Sequence, residues 1–150
     1  MQSMGRSVFG PMKELAAKIS AEEGYHLLHS HGLVERLGDA TEESHRRMQE
    51  AVDIAFPQAL GIFEQFKEEE KLVEAGVIVQ STRLQEQWLE TIVPALNKVS
   101  LKVPAEKKGN SYVPRVPADS GGRVGRHSDD LRQLVDDMQL VYQMAPSGRW

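Results

Sequence analysis

Ser20-Ala21-Glu22-Glu23-Gly24-Tyr25-His26-Leu27-Leu28-His29-Ser30-His31-Gly32-Leu33-Val34-Glu35-Arg36 decides how this chain is read. The stretch continues an apolar stripe that begins with Met12, Leu15, Ala16 and Ile19 at steps of three and four, the period of a helix buried on one side. Carried on by the same steps, the stripe reaches Glu23 and His26, then Ser30 and Leu33. A carboxylate and an imidazole thus stand where a core calls for apolar groups. Three residues apart, they lie within about 60° of each other around a helix.

Glu-x-x-His facing inward from a bundle helix is the half-site pattern of di-metal carboxylate proteins. A buried hydrogen-bonded pair, or a pair facing a partner helix, satisfies the same spacing. A complete metal site needs more carboxylates than this helix supplies. A second Glu-x-x-His, Glu42 and His45, lies off the next apolar stripe and reads as cap chemistry and surface.

The helix carrying Glu23 and His26 is predicted over 11–37, with Pro11 in its first turn and Gly38 as its stop. Gly24 and Gly32 cost about 1 kcal/mol each against alanine inside a helix, so close packing is expected at both. Thr41 caps a second helix with Glu42 and Glu43 in its first turn. Its stripe is Met48, Ala51, Val52 and Ala55, and Arg46 and Arg47 turn outward. Pro57 is expected to end or kink it. The charged run 67–76 reads as a short solvated helix stopped by Gly76. A third long helix is expected over 81–99, inward at Leu84, Trp88, Thr91, Ile92, Ala95, Leu96 and Val99, with a kink at Pro94.

Residues 100–127 change character, with three prolines and four glycines and no helical period. They read as a long extended loop with brief extended pieces at 101–103 and 112–116. Loops of such length are usually functional or wrap a neighbour. The loop ends in Gly121-Gly122-Arg123-Val124-Gly125-Arg126-His127-Ser128. Arg123 and Arg126, with backbone N–H groups at the following helix start, could hold a phosphate or a carboxylate. Packing on the body with a salt bridge to Asp129 or Asp130 is the alternative. A last helix over 129–145 presents Leu131, Leu134, Val135, Met138, Val141 and Tyr142 as a regular inward face.

The whole is all-α and reads as one domain over 1–150. Its stripes are wider than its own helices can cover, which implies completion by another subunit. A formal net charge of −4 argues against nucleic acid as a partner. The absence of cysteine excludes disulfides, thiolate metal sites and a cysteine nucleophile. No apolar run approaches a membrane span or a signal peptide, so a cytoplasmic setting is expected. No nucleophile elbow is present to support a serine hydrolase.

Two blocks resemble a known family. They are Tyr25 to Ser30 followed by Arg36 to Gln49, and Gly121 to Ser128 followed by Met138-Gln139 and the terminal Trp150. Together they are similar to the structural, non-catalytic subunits of bacterial ring-1,2-phenylacetyl-CoA epoxidases. The resemblance runs from about Ala16 to Trp150. It implies a partial ferritin-like helical bundle, because family members carry further helices N-terminal to this region. It implies a homologous catalytic subunit holding a di-iron centre, together with a reductase and accessory subunits. That complex uses O₂ and electrons from NADPH to epoxidise the ring of phenylacetyl-CoA in aerobic phenylacetate breakdown.

On this reading the chain has no catalytic residue and binds no cofactor alone, and it works within a homo- or hetero-oligomer. Glu23 and His26 depart from the structural subunits and look more like a catalytic half-site, so a vestigial or partial metal site is placed there. Arg123, Arg126 and His127 are placed against the partner or CoA; a separate reading is a small CoA- or phosphate-binding module that uses these three residues with Lys107 and Lys108. The alternative is a di-metal protein that assembles its own site by oligomerisation through Glu23 and His26, with Glu86, Glu90 or Asp53 supplying further carboxylates.

Overall fold

The computed structural model describes residues 4–148, so Trp150, which closes the second block of the resemblance, lies outside the described residues. The order of elements is a short 3-10 turn (Met4–Arg6), α1 (Gly10–Gly38), α2 (Glu42–Gly61), α3 (Glu69–Glu74), α4 (Ser81–Lys98), β1 (Ala105–Lys108), β2 (Ser111–Pro114), a second 3-10 turn (Gly122–Val124) and α5 (Asp129–Met144). The expected all-α class holds, with one two-stranded hairpin added. The described chain divides into two compact units, one up to Ser120 and one from Gly121 onward.

In the first unit α2 and α4 enclose the core. Val52, Leu96, Val99 and Leu101 form one buried cluster, with Val34, Met48, Ile92 and Val103 packed against it. Phe56, Leu60, Leu89 and Val93 form the other, flanked by Trp88 and by Ala105, Tyr112 and Val116. The Trp88 ring lies 5.4 Å from that of Phe56 and 5.6 Å from that of Phe63, both tilted, a favoured aromatic arrangement.

Pro57 does not end α2, which runs one further turn to Gly61. Phe56 and Leu60 are buried on either side of the proline, and their burial outweighs the one lost backbone bond. Pro94 likewise lies within α4. Its side is exposed, where water can serve the carbonyl that loses a donor.

The start of α2 is as expected. The Thr41 hydroxyl accepts from the Ser44 N–H at 3.1 Å, and the Ser44 hydroxyl accepts from the Thr41 N–H at 3.1 Å. Arg46 and Arg47 turn outward and pair with Glu43. His45 Nδ1 meets the Gly38 carbonyl at 2.7 Å and ties α2 to the end of α1.

The glycines that packing demands are not the two expected. A Cβ on Gly24 or Gly32 would meet nothing within 4 Å. A Cβ on Gly38 would lie 2.7 Å from Val99 Cγ2, and one on Gly61 would lie 2.1 Å from the Asp119 carbonyl oxygen. Gly61 thereby lets the segment ending at Ser120 lie against the last turn of α2, where the Asp119 N–H donates to the Pro57 carbonyl at 2.9 Å.

The charged run after α2 is not wholly a wet face. Glu69 is 4% exposed and accepts from the Ser81 N–H at 2.6 Å and the Ser81 hydroxyl at 3.1 Å. The residue preceding α4, Gln80, makes no side-chain cap, so Glu69 caps α4 from twelve residues away, its negative charge at the positive end of the helix. Glu69→Ala leaves that buried N–H without a partner. Urea denaturation should show a loss of about 1–3 kcal/mol in unfolding free energy, and an unchanged midpoint would remove the capping role.

The long loop also holds more structure than expected. Of the two expected extended pieces, 112–116 overlaps β2 and 101–103 joins no strand; Ala105–Lys108 pairs antiparallel with Ser111–Pro114, Glu106 opposite Val113 and Lys107 opposite Tyr112. Gly109 turns the hairpin at φ +64°. The Gln49 side chain holds the chain leaving α4. Its amide donates to the Lys102 carbonyl at 2.9 Å and its oxygen accepts from the Lys102 N–H at 2.7 Å.

In the second unit Ser128 caps α5, its hydroxyl accepting from the Leu131 N–H at 3.2 Å. The face expected to be inward is exposed at Leu131, Leu134, Val135, Met138, Val141 and Tyr142. No described helix is long and apolar enough to cross a membrane.

Candidate functional site

α1 is held at both ends. Near its start the Ser7 hydroxyl donates to the Val77 carbonyl at 2.7 Å, and the Val8 N–H donates to the Gly76 carbonyl at 3.1 Å. Near its end Lys98 Nζ meets Glu35 Oε1 at 2.6 Å, beside Val34 packed on the first core cluster. The hydrogen bond from Lys98, reinforced by its charge, lowers the Glu35 pKa. A depressed carboxylate stabilises the fold above its ordinary range, and that contribution is lost as pH falls through the depressed value.

Between these anchors every residue from Ala21 to Ser30 is exposed. Tyr25 is 76% exposed, Leu28 72% and Leu27 53%. Glu23 and His26 sit in this span, so the expectation that they point into this chain's core is corrected. Their side chains are 49% and 72% exposed, and His26 Nδ1 lies 3.6 Å from Glu23 Oε1, a solvated neighbour pair of small energetic weight. The periodicity identifies one face of a helix correctly. It cannot report that the chain's other elements leave that face uncovered.

The face of α1 that bears Glu23 borders a cleft of about 1010 Å³. Ser20, Glu23, Gly24 and Leu27 line it from α1, and Leu84, Gln87, Trp88, Glu90 and Thr91 from α4. Arg6 and Arg83 complete much of the remaining wall. Of the carboxylates expected to assist Glu23, the fold brings Glu90 to the same cleft. Asp53 instead accepts from Gln49 Nε2 at 2.9 Å on α2, and Glu86 is not among the lining residues. His26 is not among them either.

A di-metal carboxylate centre takes four carboxylates and two histidines from facing helices. One copy of this chain brings Glu23 and Glu90 to the cleft and has His26 beside it, and that donor set does not fit such a centre. Among the described residues no three His, Asp or Glu side chains are grouped to hold a metal ion.

Arg123, Arg126 and His127 belong to the second unit and are exposed there. Gly121 at φ +109° and Gly125 at φ +86° form a tight turn. The Arg126 N–H closes it by donating to the Gly121 carbonyl at 2.9 Å. The Arg126 side chain folds back over Gly121, where a Cβ would lie 2.7 Å from its Nε. Arg132 Nη2 lies 2.9 Å from Asp129 Oδ1 in the first turn of α5. Lys107 and Lys108 stand exposed on β1 of the first unit.

Sequence reasoning misses Glu69, Gln49 and Gly61, the residues that hold α4, the post-α4 segment and the 115–120 segment in place. Each acts on a partner distant in sequence. A charged run, a polar helix position and a helix-terminal glycine give no local sign of that.

Comparison with known proteins places these features in a lineage. A family model described as phenylacetic acid catabolic protein matches residues 1–150. One polypeptide of the 1,2-phenylacetyl-CoA epoxidase of Escherichia coli (strain K12) is 28% identical over 136 residues, covering 91% of this chain and 51% of the relative. The chain therefore spans about half the length of that curated relative.

Proposed function

This chain belongs to the phenylacetic acid catabolic protein family, and we propose that it serves as a non-catalytic structural subunit of a multicomponent phenylacetyl-CoA ring epoxidase. On this reading a homologous ferritin-like subunit holds the di-iron centre, and this chain supports it in aerobic phenylacetate catabolism. One observation carries the proposal: the ten consecutive exposed residues in the middle of a helix fixed at both ends, with Tyr25, Leu27 and Leu28 among them. An isolated domain gains nothing by holding such side chains in water, whereas a subunit gains an interface. The likeness to a polypeptide of an epoxidase supports the same assignment.

The role of the chain's own residues is then to bind and to position. Tyr25, Leu27 and Leu28 meet the partner, and Glu23 and His26 lie in that interface as remnants of a half-site. Arg123, Arg126 and His127 contact the partner or the phosphates of CoA. Arg126→Ala should then weaken CoA binding to the assembled complex by roughly tenfold, the size of one charge-assisted contact. An unchanged affinity would remove the CoA role.

A second reading rests on Glu23 and Glu90 sharing one cleft: two or more copies pool these groups with His26 into a di-metal site. Elemental analysis of the purified chain separates the two. The structural-subunit reading predicts under about 0.2 iron per chain, well below the stoichiometry of a di-metal carboxylate site. One or more iron per chain, lost on Glu23→Ala, would establish the second reading in its place.

A further inference from the structure

We draw no further inference here: the strongest candidate, the cleft between α1 and α4 together with the exposed apolar side chains of the α1 midsection, adjoins the surface already assigned to the partner subunit, and nothing in the structure shows what else would cover it.

Discussion

Leu89→Ala is expected to lower the unfolding free energy by about 2–5 kcal/mol, the usual range for removing a buried leucine. Leu89 is 2% exposed and sits in the cluster formed with Phe56, Leu60 and Val93. The truncation leaves a hole between α2 and α4, and the surroundings are poorly placed to fill it. Trp88 is already committed to Phe56 and Phe63, and the hairpin closes the cluster from the β2 side. Domains of this length typically hold only about 5–15 kcal/mol of total stability, so the variant should unfold at a clearly lower urea concentration. The same substitution at Leu28, which is exposed, should change stability by less than about 0.5 kcal/mol. Equal losses at the two positions would mean that the division into core and open surface is wrong.

The second large effect concerns association. Tyr25→Ser combined with Leu28→Ser should leave the helical signal and unfolding midpoint of the isolated chain nearly unchanged, because neither side chain is buried in it. On the proposed structural role, binding to a homologous catalytic subunit should weaken by about 2 kcal/mol or more, roughly thirtyfold in Kd, the threshold for an anchor at the centre of an interface. A double variant that binds as tightly as the wild type would show that the α1 midsection is not the contact surface. A double variant that unfolds would show that these side chains support the chain itself.

Most of the helical framework is legible because each element is written locally. The span of α1, the Thr41 cap, the Gly76 stop and the Ser128 cap all depend on residues within a turn or two of one another, and each stands where its pattern places it. At Pro57 the helix continues rather than ends, because the side chains flanking the proline are buried deeply enough to carry it through. The hairpin is only half visible. Its turn residue Gly109 stands out, but Lys107 and Lys108 interrupt the apolar alternation that marks a strand.

The candidate site is less legible, for a different reason. Periodicity shows which residues share a face of a helix and says nothing of what faces them. Glu23 and His26 do stand three apart on one side of α1, and only the packing of α1 against α4 shows a cleft opening at Glu23 and not at His26. Glu69 shows the converse. Its surroundings in sequence read as solvent, yet its position relative to Ser81 buries it as a cap.

The most direct test of the structural assignment is the mass, by light scattering after gel filtration, of this chain mixed with the homologous catalytic subunit and assayed for iron. The account predicts a stable complex containing both polypeptides, with its iron carried by the catalytic partner and with apolar residues of the α1 midsection protected from hydrogen exchange. A chain that elutes alone, at the mass of one copy and with unchanged exchange from Ala21 to Ser30, would contradict it.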